Sequence, residues 1–239
     1  MPDSATKNDP YSQAVASGKY ERGNVLRGKY DHVRLRWEDE VTRFFIRPQI
    51  EKLVEKRQSE GKKLRILDIG CGSGDGFELL MDMRRSDSEL SDFQNKVISN
   101  DTLGAYFGVD LNADLIAQNA DRWGEHPNMH FFQADLREGL PLSDEEPFDI
   151  YLSSYGTLSH LSSEETIKLF KDILEHAAPD AVLIGDWLGR FSYEWQNLWK
   201  EESAEDYWMD YLISYIYPPE LRNKVDLQSL KLRLLGRNE

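Results

Sequence analysis

Short apolar runs alternate along the middle of the chain with stretches whose apolar residues recur every three or four positions. LRILDI (64–69), AYFGVDL (105–111), NMHFFQADL (128–136), FDIYLSSY (148–155) and AVLIGDWLG (181–189) each predict a buried strand. GDGFELLMDMRR (74–85), NADLIAQNADRW (112–123) and SSEETIKLFKDILEHAA (162–178) predict helices between them. Asn112 stands where an N-cap belongs, and Ser162 precedes Glu165 by the spacing of a capping box. Short buried strands alternating with helices imply an α/β sandwich on a parallel sheet.

The flanks are patterned differently. Residues 1–22 read as a flexible polar arm. From Tyr30 to Lys63 one or two amphipathic helices are expected. Val33, Trp37, Val41, Phe44 and Phe45 form the apolar face, Pro48 kinks or breaks it, Ile50, Leu53 and Val54 continue it, and Gly61 stops it. The polar stretch 86–104 reads as an insertion or long loop, and 191–222 reads as helical. LQSLKLRLLG (227–236) is a candidate sixth strand, with little chain left after it. There is no internal repeat.

Composition narrows the function. The chain has 239 residues, enough for one sizeable core, with 40% hydrophobic and 30% charged residues. No apolar run approaches the length of a membrane span, the first residues lack a signal-peptide core, and Cys71 has no partner for a disulfide, which together favour a cytoplasmic protein. A formal net charge of −14 argues against a nucleic-acid partner.

The chemistry starts at LRILDIGCGSGDG (64–76). Gly70, Gly72, Gly74 and Gly76 occupy alternate positions directly after a strand that carries Asp68. Ligands in such sheets bind beyond the carboxyl ends of the strands, where bare backbone can approach them. A tight turn needs one glycine, whereas four at alternate positions point to a nucleotide-type ligand. The dinucleotide spacing fails, because Asp75 and Phe77 stand where its third glycine would be, and the Gly-Lys-Ser/Thr ending of a phosphate loop is absent.

With LDIGCGSGDG, YFGVDLN, FFQADL and FDIYLSSYGTLSHL in this order, each at a strand end, residues 64–189 resemble the class I S-adenosylmethionine-dependent methyltransferases of the small-molecule type. The resemblance implies a doubly wound, Rossmann-like, mostly parallel sheet flanked by helices (63–239), preceded by an N-terminal helical lid (23–62). It implies S-adenosylmethionine as cofactor, held by Tyr30, Asp68, Gly70, Cys71, Gly72, Gly74, Asp110, Leu111, Asp135, Leu136 and Ser154. Asp68 would accept from the ammonium, Asp110 from the ribose hydroxyls and Asp135 from the adenine amine. Leu111 and Leu136 would enclose the ring, and each aspartate also reads as a cap or turn residue. The family sheet ends in an antiparallel strand pair, for which the C-terminus looks too short. An uncovered edge would then favour a homodimer.

Methyl transfer needs in-line alignment and an outlet for the acceptor's proton. His160, Tyr155 and Asp186 are the candidates, together with Thr157, Ser159 and Trp187. His160 is a base by residue type or a histidine bonded to backbone before a helix. Asp186 orients an acceptor or caps a loop. SSYG replaces the Asp/Asn-Pro-Pro-aromatic signature of amino-directed DNA methylation, so a small metabolite accepting at oxygen or nitrogen is expected. Aminopropyl transfer, as in polyamine synthases, and a non-catalytic binding module are the alternatives.

Overall fold

A computed structural model describes residues 15–16, 39–86 and 95–187 and, as backbone alone, 206–214 and 229–237. Tyr30 and the lid residues before Asp39 lie outside these. The ordered elements are α1 (Asp39–Ser59), β1 (Leu64–Ile69), α2 (Asp75–Met81), β2 (Leu103–Asp110), α3 (Ala113–Trp123), β3 (Met129–Gln133), β4 (Ile150–Ser153), α4 (Ser163–His176) and β5 (Val182–Gly185). Single 3-10 turns at Leu136–Glu138 and Thr157–His160 follow β3 and β4.

The five strands form one sheet in the order β3-β2-β1-β4-β5, every neighbouring pair parallel. The parallel sheet is the one expected from the residue pattern, and its doubly wound strand order is the one the resemblance implies. The strand order reverses between β1 and β4, which opens a crevice at their carboxyl ends. Side chains alternate by two between the faces. Leu64 and Ile66 join Ile50, Leu53 and Val54 of α1, Leu80 and Trp123 in one core. Leu67 and Ile69 join Phe107, Tyr151, Leu169 and Ile173 in the other.

Two local signals are realised as read. Asn112 caps α3, its side chain accepting from the amides of Asp114 and Leu115. Ser162 and Glu165 form the reciprocal capping box of α4. Other expectations are corrected. Pro48 does not break its helix, since α1 runs unbroken through it. An interior proline costs about 3 kcal/mol, but Ile50, Leu53 and Val54 are buried to within 3% just beyond it and contribute about 1.5–3 kcal/mol each. Phe44 and Phe45 are exposed, at 66% and 58%, so the buried stripe of α1 begins later than the apolar pattern predicts. The helix after the glycines ends at Met81, and Arg84 instead bridges antiparallel to Lys96.

The sheet is secured at the end opposite the crevice. Arg57 of α1 donates from Nε to Asp149 Oδ1 at 2.6 Å and from Nη2 to the Pro179 carbonyl at 2.6 Å. Asp149 Oδ2 accepts from the Arg65 amide of β1 at 2.8 Å. Burial alone would lower the Arg57 pKa, but the hydrogen bond and charge of Asp149 outweigh it, and the guanidinium is held more firmly protonated than usual. The Arg65 guanidinium lies 5.2 Å from the ring centres of both Phe107 and Phe148. Nearby, the Tyr151 hydroxyl donates to His176 Nδ1 at 2.7 Å, and Nε2 of that ring faces the Glu145 carbonyl at 2.9 Å. A carbonyl only accepts, so the proton of a neutral His176 resides on Nε2.

Residues 196–239 belong to a second compact unit, taken here by itself. Strands β6 (Asp206–Ser214) and β7 (Ser229–Arg237) pair antiparallel, from Asp206 opposite Arg237 to Ser214 opposite Ser229. The helix expected through 206–214 is therefore a strand, and the C-terminal tail finds its partner there. Among the described residues no helix is long and apolar enough to cross a membrane.

Candidate functional site

The glycine loop leaves β1 and enters α2. Gly70, Gly72 and Gly74 all take positive φ, 78°, 51° and 84°, a conformation side chains rarely adopt. Space also restricts three of the loop's positions, Gly74 among them, where a Cβ would lie 2.3 Å from Trp123 Cη2. A Cβ on Gly70 would lie 2.2 Å from Thr157 Cγ2, and one on Gly76 would lie 2.5 Å from Asp68 Oδ2 and 3.0 Å from Ser154 Oγ. The loop is thus pressed between the end of β1 and the turn after β4.

The strand-end carboxylates differ in what they still offer. Asp68 is fully buried beneath the loop, where it accepts from the Tyr106 hydroxyl at 2.5 Å. Burial first, and then the Asp68 charge, push the Tyr106 pKa well above its usual value. Asp110 is only part-buried. Its Oδ2 accepts from the Gly72 amide and its Oδ1 from the Asn112 amide, both at 2.9 Å. These two bonds fix the carboxylate between the glycine loop and the start of α3. Beside it, Leu111 is 53% exposed, an apolar surface against which a ring can lie. Leu136, in the 3-10 turn after β3, is partly buried against the α4 core.

Asp135 is more heavily engaged. It caps the 3-10 turn through the Arg137 amide at 3.0 Å and is gripped by the Arg137 guanidinium. That hydrogen bond is the largest reason its pKa falls below the usual range. An adenine amine would have to share this carboxylate with Arg137.

Asn119 and Tyr106 support the loop from below and are not singled out by the sequence reading. Asn119 donates to the Gly72 carbonyl at 2.7 Å and toward Cys71 Sγ at 3.7 Å. A polar residue on the apolar stripe of α3, between Leu115 and Trp123, is the signal that could have revealed it. Cys71 itself is buried, and desolvation, followed by the charges of Asp68 and Asp110, raises its pKa well above normal. It is therefore a protonated packing residue of the loop rather than a nucleophile.

The turn after β4 gathers Ser154, Tyr155, Gly156 and Thr157. Tyr155 has φ 60° and Gly156 φ 80°. Both amides point at one carboxylate, Tyr155 N–H to Asp186 Oδ2 at 2.8 Å and Gly156 N–H to Asp186 Oδ1 at 2.5 Å. Left-handed backbone costs about 1–2 kcal/mol at a side-chain-bearing residue, and each bond to a charged acceptor contributes about 1.5–3 kcal/mol, so the carboxylate outweighs the strain. The Tyr155 hydroxyl donates to Asp39 Oδ1 at the start of α1, at 2.9 Å. Thr157 Oγ1 donates to the Ser154 and Gly70 carbonyls at 3.2 and 3.3 Å. Asp39, buried to 6%, was not visible as a site residue because its partner lies 116 positions away.

His160 is exposed at the end of the second 3-10 turn. On either side of it, Ser159 and Leu161 line a cleft of about 420 Å³ completed by Leu158, Ser163, Thr166, Ile167 and Trp187. None of these lining residues carries a charge. Among the described residues no group of three or more His, Cys, Asp or Glu is placed to hold a metal.

A family model described as a methyltransferase domain matches residues 96–180. A comparison with curated proteins found no match. Among solved structures, the chain is similar to a TehB-like methyltransferase from Corynebacterium glutamicum, with 19% identity over 57% of this chain and 60% of that one and a TM-score of 0.37. The overlap is thus less than two thirds of that structure's length. An S-adenosylmethionine-dependent methyltransferase from Clostridium acetobutylicum has 13% identity over 97% and 82%, TM-score 0.45. CalS10, an amino pentose methyltransferase from Micromonospora echinaspora, has 15% identity over 79% and 75%, TM-score 0.40. The match to the methyltransferase-domain model runs from just before β2 to just before β5 and so spans the middle of the five-stranded sheet.

Proposed function

We propose that this chain transfers the methyl group of S-adenosylmethionine to an oxygen or nitrogen of a small metabolite. The observation that carries the reading is the loop at the end of β1: Gly70, Gly72 and Gly74 turn at positive φ, and the Gly72 amide is braced on the part-buried carboxylate of Asp110, beside an exposed leucine. When bound, the cofactor supplies an electrophilic methyl group on a sulfonium. Gly70, Cys71, Gly72 and Gly74 offer backbone to its amino-acid part, with Asp68 beneath them fixing the loop. Ser154 belongs to the opposite wall, Leu111 and Leu136 flank the base, and Asp135 is its polar contact in competition with Arg137. Tyr30, outside the described residues, is proposed to cover the methionine end.

The uncharged cleft beside β5 is where we place the acceptor, with Trp187 as one wall. His160 is the proposed proton acceptor, because it is exposed between two residues that line this cleft. Tyr155, at the crevice end of β4, is proposed to border the methyl-transfer position. Its hydroxyl is bonded to Asp39, which favours a shaping role over proton transfer.

The test is calorimetric titration of S-adenosylhomocysteine into the protein and into Asp110→Ala. Binding is expected in the first, weakened about 10- to 100-fold in the second, the size of one or two lost charge-assisted hydrogen bonds. No heat from the unaltered protein would end this reading. Incubation with methyl-labelled S-adenosylmethionine and a metabolite extract then identifies the acceptor by its label.

A further inference from the structure

Asp186 stands at the end of β5 and its side chain reaches over the end of β4. Its backbone continues the ladder between these strands, the Asp186 amide donating to the Ser153 carbonyl at 3.2 Å. Its carboxylate meets two successive amides that a left-handed pair of residues turns toward one point. Such a concave arrangement of N–H groups binds anions, and here the chain supplies the anion itself. The turn so held has two further attachments. Thr157 reaches the Gly70 carbonyl, and its methyl fills the space a Cβ on Gly70 would need. The Tyr155 hydroxyl reaches Asp39 on the first turn of α1.

We propose that Asp186 is a positioning residue that does not touch the methyl acceptor: it holds Tyr155 and Gly156 left-handed, and through that turn sets Thr157 against the glycine loop and Tyr155 against α1. The acceptor wall and the cofactor loop are then one coupled unit, and changes at β5 are read out at the cofactor. A residue that instead oriented the acceptor would leave cofactor affinity alone.

The experiment is a double-mutant cycle with Asp186→Ala and Tyr155→Gly, read by S-adenosylhomocysteine affinity and by thermal midpoint. Glycine adopts the left-handed conformation without the side-chain penalty, so it needs the carboxylate less. Asp186→Ala is expected to weaken S-adenosylhomocysteine about tenfold when residue 155 is tyrosine and at most about threefold when it is glycine, with the midpoint following the same order. Asp186→Asn, which keeps one carbonyl oxygen for one of the two amides, should fall between. It replaces the alanine variant in the cycle should that variant not fold. Equal losses in both backgrounds, or unchanged affinity and midpoint on losing the carboxylate, would overturn the proposal. The affinity arm rests on the cofactor reading and the midpoint arm does not. Failure of the unaltered protein to bind S-adenosylhomocysteine therefore removes the proposed function, while the midpoint cycle still decides the role of Asp186.

Discussion

Replacing Gly76 by alanine tests how tightly the glycine loop is seated on the sheet. On helix propensity alone the change would stabilise α2 by up to about 1 kcal/mol. The surroundings reverse the sign. The new Cβ would stand 2.5 Å from Asp68 Oδ2, 2.9 Å from Leu152 Cδ2 and 3.0 Å from Ser154 Oγ. Asp68 cannot retreat with its backbone, since β1 is paired to β2 through Gly108 and to β4 through Leu152 at that residue. Turning its side chain away breaks the 2.5 Å bond from Tyr106, whose hydroxyl is completely buried. Overpacking of a core costs about 1–3 kcal/mol, and a lost bond to a charged group about 1.5–3 kcal/mol. The net expectation is a loss of about 2–5 kcal/mol, or a thermal midpoint lowered by roughly 5–15 °C in a domain of this size. Urea unfolding followed by circular dichroism measures it. Tyr106→Phe removes the threatened bond in advance, so the alanine should cost about 1–2 kcal/mol less in that background. A Gly76→Ala protein as stable as the parent, or equal costs in both backgrounds, would refute the seating described here.

The remaining predictions concern the scaffold. Asp149→Ala removes the buried partner of the Arg57 guanidinium, leaving it Glu60 and the Pro179 carbonyl, and is expected to cost up to about 3–5 kcal/mol in urea unfolding. Burial pushes the Tyr151 phenol up to about 12. A folded pKa above the unfolded one stabilises fully below pH 10 and is lost as pH rises toward 12, a difference of about 2–3 kcal/mol. Tyr151→Phe should therefore show a shallower decline of stability between pH 10 and 12, and identical profiles would count against the burial argument. Ser162→Ala removes half of the α4 capping box and should lower stability by about 0.5–2 kcal/mol, with Ser162→Asp restoring most of it.

What the residue order revealed was mostly local. Asn112, Ser162 and Glu165 act within three positions of themselves, so their caps were legible. The five strands were legible as short apolar runs, although only β1, β2 and β4 are buried along most of their length and the edge strands β3 and β5 are half-exposed. The second unit was misread. Trp208, Tyr211 and Leu212 fit a helical period as well as a strand, and the β7 partner that settles the matter begins 15 residues after β6 ends. At the site, the glycines and Asp110 announced themselves through type and spacing. Asp39 and Tyr106 did not, since each is given its role by one hydroxyl contact across more than 35 positions. Asp186 was legible as important but not as a brace for strained backbone, because φ at Tyr155 is not written in the side-chain pattern.

The buried Arg57–Asp149 pair has a bearing on how this protein can change. It fastens α1, β1 and the segments flanking β4 and β5 at the end of the sheet opposite the carboxyl ends of its strands. None of these bonds involves the cleft proposed for the acceptor, so substitutions at its exposed rim leave the fastening intact, whereas a single change at Arg57 or Asp149 loosens several elements at once.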